Sequence, residues 1–182
     1  MAVNYYITGL PRSRTAWFAN FFTYGDSFCY HEASKFWTHK KSMADVMSGV
    51  DARYIGNSDS GLVLCFDKVI NDNPAAKWVI VKRDQNEVER SLRRIFNATY
   101  MDGILDIASR LLDRCAVATG ALVVDYDALG EIDVMRCVWA HCLPDIPFPE
   151  ERWRMLSSMK VELLEDVILA DFHAAKIFAA RG

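Results

Sequence analysis

The chain has 182 residues, enough for one domain with a proper core, and its 52% hydrophobic and 12% aromatic content excludes a disordered chain. A formal net charge of −3 argues against a general nucleic-acid binder. No apolar stretch approaches the roughly 20 residues that a membrane span needs, and five cysteines without CxxC spacing, each in an apolar setting, suit reduced core thiols in a reducing compartment.

The opening Met1-Ala2-Val3-Asn4 lacks the basic region of a signal peptide, and the apolar run behind it breaks at Thr8 and Gly9. A cytoplasmic protein without membrane attachment is expected. There is no internal repeat, low-complexity tract or Gly/Ser linker, so residues 1–182 are expected to form one domain. Short apolar runs alternate with helical patterns, which predicts βα units and an α/β fold: three layers, with a central, mostly parallel sheet flanked by helices.

In chain order, Asn4–Thr8 is expected as a buried first strand and Thr15–Tyr24 as a helix. Ser27–Tyr30 follows as a short second strand, then a helix near Ser34–Met47 and a third strand at Arg53–Gly56. Lys77–Lys82 has Trp78, Val79, Ile80 and Val81 in a row, as a strand buried on both faces requires. Asp84 and Glu87 form a capping-box pair, and the helix behind them places Val88, Leu92, Ile95 and Phe96 on one face. Met101–Val117 keeps the 3, 4, 7 spacing of an amphipathic helix, and Ala121–Val124 is a further strand. The remainder after Asp127 is mostly helical, with a break at Pro144, Pro147 and Pro149.

Between the first strand and its helix lies Gly9-Leu10-Pro11-Arg12-Ser13-Arg14-Thr15. A strand that ends in Gly and turns tightly into a helix presents backbone N–H groups, and the helix N-terminus adds partial positive charge. Arg12 and Arg14 add bidentate cationic donors, and Ser13 and Thr15 add hydroxyls, so this is an anion site. The spacing nearly fits the ATP-type loop G-x-x-x-x-G-K-[ST]. Arg14 stands where the second Gly belongs and Thr15 where the Lys belongs, which removes the main phosphate partner of an ATP-hydrolysing enzyme.

Gly9-Leu10-Pro11-Arg12-Ser13-Arg14-Thr15-Ala16-Trp17 resembles the P-loop of sulfotransferases that use 3′-phosphoadenosine-5′-phosphosulfate (PAPS), where a P-[RK]-[ST]-G-T-[TS] pattern holds the 5′-phosphosulfate. Arg14 replaces the usual Gly and Ala16 the second hydroxyl residue. The same family carries an Arg at the end of a later strand and a Ser eight residues on, both on the nucleotide 3′-phosphate. Arg83 and Ser91 match in type, spacing and context. Arg83 ends a central strand, where ligands bind in open α/β sheets. A looser likeness covers Val124-Asp125-Tyr126-Asp127-Ala128-Leu129, the helix Val134–Leu143 and Pro144–Phe148, read as scaffold; the whole runs from about Tyr5 to Trp153.

The resemblance implies a transferase that moves a sulfuryl group from PAPS to a hydroxyl or amine, leaving adenosine 3′,5′-bisphosphate. Arg12, Ser13, Arg14 and Thr15 would hold the 5′-phosphosulfate, with Arg12 also stabilising charge during transfer. Such transfer needs a base and cations on the leaving phosphate. Some branches of the family place a Glu about 20 residues beyond the loop Arg; here that position is Glu32, after the second strand, with His31 as the alternative base. Other branches carry a His after the third strand, where this chain has Asn57-Ser58-Asp59-Ser60 instead. Asp59 is a candidate there, or a residue that satisfies its own turn. Lys68 is a candidate for an anionic acceptor, or a solvated surface Lys.

No metal is required by this reading, because arginines supply the countercharge. Cys137 and His141 have a metal-compatible spacing, but no second pair accompanies them in sequence. Arg90, Arg93 and Arg94 form a basic patch expected on a solvated helix face, and Arg152 and Arg154 flank Trp153. Two rival readings stay open: a small-molecule kinase with a degenerate loop, needing ATP and magnesium, and a non-catalytic module binding a nucleotide or anion. The acceptor is not identifiable from sequence. The chain is short for the family, which leaves either an open site for a large acceptor or a pocket completed by a partner chain, such as a homo-oligomer.

Overall fold

A computed structural model describes residues 3–36, 41–96 and 103–159. Five strands, β1 (Tyr5–Gly9), β2 (Ser27–His31), β3 (Tyr54–Ser58), β4 (Lys77–Lys82) and β5 (Leu122–Asp125), form one parallel sheet in the order β2-β3-β1-β4-β5. All five residues of β1 are buried, as are the four inner residues of β4. The two central strands thus read as continuous apolar runs because helices cover both of their faces.

On one face pack α1 (Thr15–Phe22), α6 (Ile132–Cys142) and α7 (Glu150–Ser158), against Tyr5, Ile7, Val79 and Val81. On the other lie α2 (Met43–Val46), α3 (Phe66–Asp72), α4 (Gln85–Phe96) and α5 (Ile104–Thr119), against Tyr6, Trp78 and Ile80. The three layers of the α/β expectation are therefore present. Each fully buried Phe or Leu is worth about 1.5–3 kcal/mol of transfer free energy, and the first face concentrates this in an aromatic cluster. Phe21, Phe22 and Phe148 have ring centroids within 5.0–6.0 Å of that of Trp139. The Trp139 indole N–H also donates to Ile146 O at 2.6 Å, which ties the Pro-rich segment to α6.

Several boundaries differ from expectation for local reasons. The helix after the loop ends at Phe22, where Thr23 turns back and its hydroxyl donates to Ala19 O. The helix expected near Ser34–Met47 is instead a short 3-10 turn, Ala33–Phe36, and the four-residue α2, which begins at a capping box from Ser42 to Asp45. β1 and β5 each run one residue further than expected, into Gly9 and Asp125. Helix α3 was not expected. It is short, and only its Phe66 and Val69 are buried. Met101 and the Ile95 and Phe96 side chains, expected on apolar helix faces, lie outside the described residues.

The strand order fixes where a ligand can bind. β1 leads through α1 toward β2 on one side, and β4 leads through α4 and α5 toward β5 on the other. Adjacent strands whose connections diverge leave a crevice at their carboxyl ends. The Gly9–Thr15 loop and Arg83 flank that point.

Candidate functional site

Gly9 ends β1 against the neighbouring strand: a Cβ there would lie 2.6 Å from Val81 O and 3.1 Å from Ser13 Cβ. Only glycine lets the loop turn this close to β4. The turn then passes through two left-handed residues, Arg12 (φ 69°) and Arg14 (φ 62°), before α1 begins at Thr15. Among the described residues the other non-glycine in this region of φ is Glu32 (φ 53°), which directly follows β2. All three are residues that the sequence singles out. Left-handed backbone costs a non-glycine about 1–2 kcal/mol and persists where the surroundings impose it, typically at functional sites.

Arg14 takes a backbone conformation for which glycine is the natural occupant. Its guanidinium lies 5.4 Å from the ring centroid of Tyr126, and Arg83 lies over the same ring at 4.0 Å. Both distances are within cation–π range. Arg14→Gly is therefore expected to stabilise the fold by about 1 kcal/mol, read as a higher urea midpoint. A lower midpoint would show that stacking on Tyr126 outweighs the backbone strain.

The expected phosphate residues come together across long stretches of chain. Arg12 Nε donates to Ser91 Oγ at 3.1 Å, 79 positions away. Arg83 Nη1 donates to the carbonyl oxygen of Arg12. Burial and the neighbouring Arg83 charge lower the Arg12 pKa. Two guanidinium groups thus sit near each other and partly desolvated, an arrangement that repels itself and favours a bound anion between them. The Ser13 hydroxyl is buried without a hydrogen-bond partner among the described residues, and so is Arg83 Nε. Buried donors of this kind ask for a partner.

Thr15, at the first position of α1, faces the other side of the loop. Its hydroxyl lies 3.3 Å from His31 Nε2. Glu32 Oε1 is 3.7 Å from the same nitrogen, and the other carboxylate oxygen is ion-paired to Lys35. The Glu32 N–H donates to Ser58 O at 3.1 Å, which anchors this turn to the end of β3. His31 and Glu32 therefore stand together at the ligand end of the sheet.

Other candidates have structural occupations. Asp59 is 1% exposed and accepts from the N–H groups of Gly61 and Ser34 at 2.7 and 2.8 Å, so it satisfies its own turn. His141 Nε2 lies 3.2 Å from Trp78 O, and Cys137 is exposed four residues away. Arg152 donates to Asn20 O at 2.7 Å and Thr23 O at 3.3 Å, capping the C-terminus of α1. Arg93 pairs with Glu89 and Arg154 with Glu150, each one turn away along its own helix. Lys68 is exposed on α3.

Two depressions lie beside candidate residues outside the loop, one at Arg83 and one at His31. A crevice of about 450 Å³ runs past Arg83, Glu87 and Tyr126 at the ends of β4 and β5. A groove of about 350 Å³ passes along α1 from Ala16 to Thr23, bordered by His31 and Arg152. Sequence reasoning missed Tyr126 as more than scaffold, and it missed Glu87 as anything but a cap. The signal for Tyr126 was its place just past the carboxyl end of a parallel strand.

No family model matches the chain, and no curated protein matches it. Among solved structures, the crystal structure of a sulfotransferase from Alicyclobacillus acidocaldarius is similar over 96% of this chain and 92% of that one, with a TM-score of 0.63 and 14% identity. At that identity the likeness is one of fold. The chain has a sulfotransferase-like α/β fold, with a parallel five-stranded sheet among the described residues.

Proposed function

We propose that the protein is a sulfotransferase that moves a sulfuryl group from PAPS to a hydroxyl or amine acceptor and releases adenosine 3′,5′-bisphosphate. The observation that carries this reading is the meeting of Arg12, Arg83 and Ser91 at one end of the sheet. Two partly buried cations close together suit a polyanionic ligand such as a nucleotide with two phosphate groups. The fold of the Alicyclobacillus enzyme supports the same direction.

The donor groups fit the nucleotide. Ser13 and Thr15 offer hydroxyls, and Arg12 and Arg14 offer charge, for the 5′-phosphosulfate. Arg83 and Ser91 would hold the 3′-phosphate. When bound, the nucleotide supplies the activated sulfuryl group. Arg12 then neutralises charge that grows on the leaving phosphate. Glu32 takes the proton of the acceptor, with His31, beside the Thr15 hydroxyl, as the alternative base. We assign the groove beside α1 to the acceptor because it ends at His31.

A non-catalytic nucleotide-binding module is the second reading. The ion pair between Lys35 and Glu32 favours it, since it occupies one oxygen of the carboxylate that would take the acceptor's proton. Both readings predict that adenosine 3′,5′-bisphosphate binds, with an affinity that falls as salt rises. Adenosine 5′-monophosphate should bind roughly 10- to 100-fold more weakly, the loss of charge-assisted hydrogen bonds to one phosphate. Titration calorimetry measures both, and no heat with the bisphosphate removes both readings. Release of adenosine 3′,5′-bisphosphate from PAPS in the presence of an acceptor then separates enzyme from module.

A further inference from the structure

Glu87 borders the crevice beside Tyr126 and has no part in the proposed reaction. It occupies the third position of α4, where a capping box would turn its carboxylate back to the N–H of Asp84. Asp84 makes its half of that motif, accepting from the Glu87 N–H at 2.9 Å. The Glu87 side chain goes elsewhere: Oε2 stands 3.6 Å from Arg83 Nε.

Two other parts of Arg83 are engaged within the protein. Nη1 donates to Arg12 O, and the guanidinium face lies on Tyr126. Nε is buried and makes no hydrogen bond among the described residues. This buried donor without a hydrogen bond is the one that Glu87 faces. At 3.6 Å the two groups form an ion pair without a hydrogen bond. The Arg83 side chain is 15% exposed and the Glu87 side chain 41%, so the carboxylate has solvent to move into while the guanidinium stays in place.

We propose that Glu87 is a surrogate anion, which faces Arg83 Nε until a nucleotide 3′-phosphate takes that donor, and which thereby sets how strongly the site distinguishes nucleotides with a 3′-phosphate from those without. The proposal rests on the nucleotide reading above. A phosphate of nearly two charges with several acceptor oxygens displaces a single, poorly placed carboxylate. It must do so against the Coulomb cost of leaving Glu87 close by. A nucleotide without a 3′-phosphate leaves the pair intact and does not feel that cost.

Glu87→Gln keeps the size and polarity of the side chain and removes its charge. It is expected to tighten adenosine 3′,5′-bisphosphate on the order of 3- to 10-fold and to leave adenosine 5′-monophosphate unchanged. Glu89→Gln, in the same turn of α4 but paired to Arg93, should change neither. Calorimetry of both nucleotides with the full chain and both variants reads this, with thermal melting to show that each variant is folded. Weaker bisphosphate binding in Glu87→Gln would mean that Glu87 preorganises Arg83, and it overturns the proposal. So do equal shifts for both nucleotides, or an equal shift in Glu89→Gln. These outcomes leave the nucleotide reading standing, whereas binding of neither nucleotide to the parent chain removes that reading and this proposal together.

Discussion

Arg12→Ala is expected to reduce sulfuryl transfer from PAPS about 10²- to 10³-fold, the cost of removing one preorganised donor from developing charge. The same change should leave the fold intact or slightly more stable. Arg12 contributes a guanidinium whose pKa is lowered by burial and by the Arg83 charge, so the folded protein carries repulsion that alanine abolishes. Its one side-chain hydrogen bond, to Ser91, is a smaller loss at about 1 kcal/mol. Alanine also keeps the Cβ, so the left-handed backbone at this position is as strained as before. Lower activity with an equal or higher melting temperature is the signature of a residue kept for function at a cost in stability. Arg12→Lys should recover only part of the rate, because an ammonium lacks the planar fork. Turnover and bisphosphate affinity both unchanged in Arg12→Ala would remove Arg12 from the site.

Glu32→Gln is expected to lower transfer by about 10²- to 10⁴-fold at unchanged bisphosphate affinity, the range for loss of a positioned base. The split matters because Glu32 lies beyond the loop, on the His31 side, away from Arg83 and Ser91. A structural role alone would move melting temperature and affinity together. His31→Gln is the companion measurement. If it costs more rate than Glu32→Gln, the imidazole takes the proton and the carboxylate only orients it. Lys35→Met adds a third readout: it removes the ion pair on Glu32, and a faster transfer than in the parent would mean that the pair holds the carboxylate back from the acceptor.

The two halves of the site differed in how legible they were. Lys77–Lys82 has the same bounds in sequence and structure, because four consecutive large apolar residues admit burial on both faces and little else. Arg83 and Ser91 followed from that strand, since Arg83 directly follows it and Ser91 lies two turns into α4, the helix behind it. The loop was legible as an anion site but not in its geometry. Nothing local announces that Arg14 adopts the backbone of the glycine it replaces, because the surrounding strand and helix impose that conformation. The Arg12–Ser91 contact and the stacking of two arginines on Tyr126 join residues from three separate strand ends, and periodicity does not reach across such distances. Asp59 shows the converse. A carboxylate next to the third strand could have been catalytic, and only its two backbone donors reveal it as the keystone of a turn.

The position of β1 has a consequence for how the molecule is made. β1 precedes both of its partners by a long stretch of chain: Tyr5 pairs with Gly56 on one side and with Lys77 on the other. At about 5–20 residues per second, a ribosome needs roughly 4–14 seconds to extend the chain from the first partner of that last pair to the second. Until β3 is made Tyr5-Tyr6-Ile7 has no strand to pair with, and until β4 is made it lacks the second. The loop after β1 is thus synthesised well before the strands that fix its shape, and the nascent chain must be kept from pairing β1 with a neighbour's strand until its own arrives.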